Sequence, residues 1–417
     1  MILRLPIILT GQAYMTVKRT LVMVLTGLLC SASLPAIARS PQAVARHQDP
    51  GKSAQATAGF SFTVAGASAD CGHLIMPAIA KAAHDEKAKF HWHLGDMRSV
   101  SKADVDFMFE RYFQTPDSTN PTLADYQELL MSSIKERQLE PFRVQGVPLM
   151  ITLGGRDDRR PLSRLGFRVV LRDMYSQPLL SDQRRVDGQA DNPKDIPSSY
   201  YHWRVKSVDF ISLDNATDVA FDRKQLKWLD GVLLKDMVDS SVRTVVVGAT
   251  AGLPHSAVPD QSMCLTKAGT SSGERVYKAL AQLIKAGKRV YVLSSHAHYY
   301  RAGIYDTEYW RDPQNGGVVI PGYVVGTAGA GRMMLAKDME SDTQARSGVY
   351  GYLKGTVNAD GAINFSFHEL DNKALQSIET QNFESGLAAY CLNDNKAAGL
   401  IAEDPMPTWC DAPDNKN

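Results

Sequence analysis

The chain has 417 residues, 44% of them hydrophobic and 22% charged, with a formal net charge of +1. That is ordinary globular composition, enough for one large domain or two modest ones. Near-neutral charge gives no reason to expect nucleic acid or an anionic membrane as partner. At the N-terminus, Lys18 and Arg19 precede an apolar run, Leu21 to Leu29, and then Ala36-Ile37-Ala38. This charged, apolar, small-residue order is that of a secretory signal over residues 1–38, starting at Met15 and cleaved after Ala38. The run is too short for a membrane span, so none is expected in the mature chain. Cys30 is rejected as a lipid-attachment site because bulky Leu29 precedes it. Residues 39–58 read as a linker, and the expected location is periplasmic or secreted.

Downstream, short apolar strands alternate with helices. Strands are expected at 60–66, 90–94, 147–153, 208–213, 244–247, 290–295 and 322–326. Helices are expected at 74–87, 126–137, 223–236 and 275–286. The alternation argues for an α/β fold with several strand ends gathered on one edge, where such sheets place their sites. Residues 350–357 and 362–368 read as a hairpin around Asn358-Ala359-Asp360-Gly361. Residues 159–205 are Arg-rich and irregular, and read as a lid or insert. The polar tail, 371–417, is weakly patterned.

Export places four cysteines, Cys71, Cys264, Cys391 and Cys410, in an oxidising compartment. Three connectivities are open. Cys391–Cys410, closing a short C-terminal loop, and Cys71–Cys264 are the favoured pairs.

The stretch Val290 to His298 carries the most chemistry: a buried-looking strand ending in Ser295-His296-Ala297-His298. Neutral imidazole is the commonest metal ligand. Gly95-Asp96 also follows a strand, so its carboxylate projects from a strand tip, where one carboxylate can bridge two cations. His91 and His93 share one face inside a strand and read as buried, hydrogen-bonded groups.

Taken in order over residues 59–370, these motifs resemble the calcineurin-like metallophosphoesterase family, which includes purple acid phosphatases. Gly95-Asp96 is similar to its Gly-Asp motif, Gly154-Gly155-Arg156-Asp157 to its Gly-Asn-His-Asp/Glu motif, and Ser295-His296-Ala297-His298 to its Gly-His-x-His motif. Gln225-Leu226-Lys227-Trp228-Leu229 and Val324 to Gly329 resemble further family segments. The resemblance implies a four-layer αββα sandwich of two mixed sheets flanked by helices. It also implies metal-dependent hydrolysis of a phosphoester by one or two divalent ions (Zn, Mn or Fe), with a small phosphoester as partner.

By this resemblance Asp96, His296 and His298 are the metal ligands, and Arg156 and Asp157 the catalytic candidates. Three corners are substituted: Ala67 stands for the first Asp, Gly155 for Asn, and Thr250 (or Ala249) for a His. Asp70 and His255 lie close enough in sequence to be substitute ligands. A cage so depleted implies weak activity. The alternative is a non-catalytic member of the same fold that binds a ligand or protein partner.

Overall fold

The computed structural model describes residues 59–98, 122–159, 162–170, 172, 177–188, 198–217, 219–258, 261–335, 344–382, 386–396 and 410. The expected signal and linker, residues 1–58, lie outside the described residues. The first sheet is built from β1 (Phe60–Ala65), β2 (His91–His93), β3 (Leu149–Ile151), β11 (Gly351–Val357) and β12 (Ile363–Glu369), in the order β12-β11-β1-β2-β3. The second is built from β4 (Tyr201–Val205), β5 (Val208–Ser212), β6 (Thr244–Gly248), β7 (Arg289–Ser294), β8 (Tyr300–Ala302), β9 (Gly322–Val325) and β10 (Ala345–Arg346), in the order β10-β8-β9-β7-β6-β5-β4. Strands β1, β2 and β3 run parallel, as do β5, β6, β7 and β9, with antiparallel strands at the edges. Both sheets are mixed and flanked by helices, so the expected sandwich is found.

The longer helices among the described residues are α1 (Gly72–Asp85), α2 (Leu123–Ile134), α3 (Arg164–Val170), α4 (Pro178–Val186), α5 (Arg223–Val238), α6 (Lys267–Lys285), α7 (Asn372–Asn382) and α8 (Leu387–Asn393). Helix α1 buries Leu74, Ile75, Ala78 and Ile79, the apolar positions that recur at helical spacing. Asp222 and Thr266 cap α5 and α6 by accepting from the backbone N–H three residues on. Between the sheets, Phe62, Phe90, Trp92, Trp203 and Phe210 pack edge-on and stacked. Because side chains alternate along a strand, Trp92 enters this layer while His91 and His93 face the helices. His91 bonds Thr63 and stacks on Phe142. His93 Nδ1 accepts from the Gly95 N–H, so its Nε2 donates to Ser68, which in turn donates to Gln138.

Two expectations change here. The segment 159–205 is not wholly irregular: it carries α3, α4 and edge strand β4. It is tied down at β4, where His202 Nδ1 lies 2.8 Å from Asp209 and Nε2 2.7 Å from Asp187 at the end of α4. Beside it, Arg204 bonds Asp236 and Asp239. Burial opposes the charge on His202, but the two carboxylates outweigh it and lift the imidazole from 6.5 to about 9. A raised folded-state pKa favours the protonated form. This stabilisation is complete below 6.5 and lost as pH rises through about 9. Urea midpoints of the wild type are expected to fall over that window, with a flatter profile in His202→Gln.

The cysteine pairing is the second correction. The disulfides are Cys71–Cys391 and Cys264–Cys410, with Cα separations of 5.9 and 5.2 Å. The tail forms α7 and α8, and α7 packs along α1, so Cys391 reaches the start of α1 instead of closing a local loop. Asn395 reinforces this clasp by donating to Gly329 O and the Tyr350 hydroxyl. Cys71→Ser is expected to cost about 2–5 kcal/mol by thermal or urea unfolding, the usual scale for a native bridge.

Candidate functional site

The C-terminal ends of β1, β2 and β3 meet those of β6, β7 and β9 at one edge, and short polar contacts stitch them together. Gly66 N donates to Val325 O at 3.0 Å, and Ala67 N to Gly95 O at 2.9 Å. The Leu94 carbonyl takes two hydroxyls from the opposite sheet, Thr250 Oγ1 at 2.8 Å and Ser295 Oγ at 2.9 Å. Sequence reading missed this role for Thr250 and Ser295. The signal available was a hydroxyl side chain at two positions where the resembling family carries His and Gly.

Asp96 sits at the centre, fully buried, on a backbone turned to φ 58°. Its Oδ1 accepts the Arg156 N–H at 2.9 Å, and its Oδ2 lies 3.0 Å from His296 Nδ1. Burial works to raise this carboxyl. The hydrogen bond and charge of His296, helped by Arg156, prevail and bring it down to about 2. Asp96 and His296 therefore satisfy each other. His298, nearly buried, donates Nδ1–H to Gly331 O at 2.8 Å, which leaves Nε2 as the acceptor. Burial, then the charge of Arg156, hold this imidazole at about 4, in its neutral form.

Asp157 is inside rather than at the surface of the site. Its carboxylate accepts three backbone N–H groups, from Asp96 at 3.0 Å, Met97 at 2.9 Å and Gly154 at 3.0 Å. Burial and the neighbouring Asp96 charge push it up to about 7 against those bonds. Its geometry is that of a clamp joining the β2 and β3 loops. Gly154 is required there: a Cβ would lie 2.2 Å from Asp96 N. At Gly155 the nearest atom to a Cβ would be Ala216 O at 3.5 Å, so that position is open.

The substitute ligands do not converge on Asp96. Asp70 is exposed and accepts from the Gly331 N–H at 3.1 Å, so it holds the loop beneath His298. His255 bonds Glu274 at 2.9 Å and stacks on Tyr309 with centroids 3.4 Å apart. Ala67 is fully buried, and Thr250 spends its hydroxyl on main-chain carbonyls. Among the described residues, no group of three or more His, Cys, Asp or Glu side chains is placed to hold a metal ion. The donor chemistry at this edge does not fit a two-metal centre, which needs a bridging carboxylate free to face both ions and several further ligands on each.

No family model matches the chain, and no curated protein matches it. Solved structures with similar folds include a purple acid phosphatase from yellow lupin, Lupinus luteus, at 13% identity and a TM-score of 0.43, with 76% of this chain covered. The chain spans 55% of the length of that lupin protein. GAP50, the anchor in the inner membrane complex of Plasmodium, is 14% identical with a TM-score of 0.41, covering 84% of this chain and 99% of its own. A dimetal phosphatase from Danio rerio is 12% identical with a TM-score of 0.43, covering 75% and 98%. Two mixed sheets flanked by helices, with the loops that carry Asp96, Asp157 and His296 brought together at one edge, make this chain an α/β sandwich.

Proposed function

We propose that this is an exported phosphoesterase-fold protein that binds an anionic, phosphoester-like ligand at its strand-end site without turning it over. One observation supports this reading above the others: the Asp96 carboxylate, the only carboxylate left among the family's ligand positions, is consumed by Arg156 N–H and His296. What remains is a binding surface. The Arg156 side chain lies close enough to shift both Asp96 and His298. A guanidinium binds phosphate oxygens through paired N–H groups. His296 is partly exposed and its Nδ1 is held by Asp96, so Nε2 is the nitrogen left for a ligand. His298 offers a neutral acceptor. Metal-dependent hydrolysis, which the family resemblance implies, is the reading this one displaces.

The small charge argues against nucleic acid as the ligand, and no helix among the described residues is long and apolar enough to cross a membrane. Two disulfides and the N-terminal residue order support export, with cleavage after Ala38. Titration calorimetry with inorganic phosphate and an aryl phosphate tests the reading. Saturable binding is expected, weakened about tenfold in Arg156→Ala, the scale of one lost charge-assisted contact. Affinity unchanged in that variant would contradict it.

A further inference from the structure

On the outer edge of the first sheet, away from the strand-end site, we propose a second reactive centre: Ser366, His368 and Glu86 form a serine nucleophile that accepts an acyl group from a small carboxylic ester. Ser366 and His368 are two apart on β12, so they share a face, while Phe365 and Phe367 turn inward. Ser366 Oγ lies 2.9 Å from His368 Nε2, and His368 Nδ1 lies 3.1 Å from Glu86 Oε1. Glu86 closes the C-terminal end of α1, where the Tyr352 hydroxyl donates to the same oxygen at 3.0 Å. The negative charge of Glu86 beside Nδ1 favours the tautomer with its proton there, which leaves Nε2 to take the Ser366 hydroxyl. Nucleophile and base are thus hydrogen-bonded, and a carboxylate stands at ion-pair distance on the far side of the base, the order of groups that activates serine on unrelated folds.

Two further features favour reactivity. Ser366 is exposed and the His368 side chain is 35% exposed, so a solute reaches both. Lys354 pairs directly with Ser366 in the β11/β12 register, and its ammonium is 3.4 Å from Glu86 Oε2. That places a cation on the same face for the oxyanion that forms on attack. Ser366 Oγ bonds to the carbonyl carbon as its proton passes to His368 Nε2. The bond to the leaving oxygen then breaks, and that oxygen takes the proton from His368. The products are acyl-Ser366 and an alcohol, and water attacking through the same base releases the acid.

The test uses the full chain with 4-nitrophenyl acetate, followed by peptide mass mapping. A burst of about one nitrophenolate per chain is expected, as for an accumulating acyl-enzyme, with the acetyl group on Ser366. Ser366→Ala removes the burst. His368→Gln slows it at least about a hundredfold, the lower end of general-base contributions. Glu86→Gln slows it less, because the base remains in place. Both strand substitutions change accessible side chains, and unchanged thermal midpoints show that the fold is kept. The absence of a burst, acetylation at Lys354 or elsewhere with Ser366 unmodified, or an equal burst rate in His368→Gln would each overturn the proposal.

Discussion

Asp157→Ala lowers folding stability by about 3 kcal/mol or more, because three buried backbone N–H groups lose their acceptor at about 1–3 kcal/mol each. Its carboxylate takes N–H groups from Asp96 and Met97 after β2 and from Gly154 after β3. Asn at this position keeps the volume and one oxygen, but turns donors toward donors, so Asp157→Asn is expected to recover only part of the loss. Urea unfolding measures both. A loss below about 1 kcal/mol for the alanine variant, the scale of one ordinary hydrogen bond, would show that the clamp is not structural. The sequence motif made Asp157 a catalytic candidate. Its fully buried position, with both oxygens bonded to the main chain, gives it a positioning role.

The second large effect is a gain. Ala67→Asp with Gly155→Asn is expected to raise Zn²⁺ or Mn²⁺ affinity at least about tenfold per restored group, the scale on which supporting groups change metal sites. The backbone at both positions tolerates the new residue. A Cβ on Gly155 meets only Ala216 O, at an ordinary contact distance of 3.5 Å, and Ala67 already sits at φ 55°, a conformation that Asp tolerates better than Ala. Thr250→His is different in kind. The Thr250 hydroxyl bonds Leu94 O and Leu153 O, and a Cβ placed on Gly95 would come within 2.4 Å of it, so the gap is tight. An imidazole there is expected to cost about 1–3 kcal/mol through overpacking. Titration calorimetry of the double variant decides the first point. An unchanged affinity would mean that Ala67 and Gly155 do not stand at the family's ligand positions.

Much of the architecture was legible because burial leaves period and punctuation in the chain. Short apolar runs ending in Gly or Asp marked β1, β2, β3, β5 and β6, and one ending in Ser295-His296-Ala297-His298 marked β7. Asn358 to Gly361 marked the β11–β12 hairpin. Helix α6 was placed eight residues late, since Lys267 to Glu274 is small and polar and its start depends on the Thr266 cap. The helices α7 and α8 were invisible for a related reason: among the described residues their buried side chains, Leu375, Ile378, Ala388 and Cys391, are few, and they are fixed by docking and by the disulfide. The disulfide pairing failed because separation along the chain says nothing about where a helical tail folds back.

At the site, placement was legible and direction was not. The motifs put Asp96, His296 and His298 at strand ends, and the fold brings Asp96 and His296 into contact. Nothing in their spacing told that His296 turns toward Asp96, or that His298 is held by the carbonyl of Gly331. The Ser366–His368–Glu86 set was equally hidden, because its acid lies 280 residues before its serine and meets it only through the packing of α1 against the sheet.

We propose that this strand-end edge does not assemble a two-metal hydrolase. It is tested most directly by metal content and aryl-phosphate hydrolysis of the purified mature chain after incubation with Zn²⁺ or Mn²⁺. The account predicts no stoichiometric metal and a hydrolysis rate equal to that of His298→Ala. Two bound ions per chain, with turnover that His298→Ala abolishes, would contradict it.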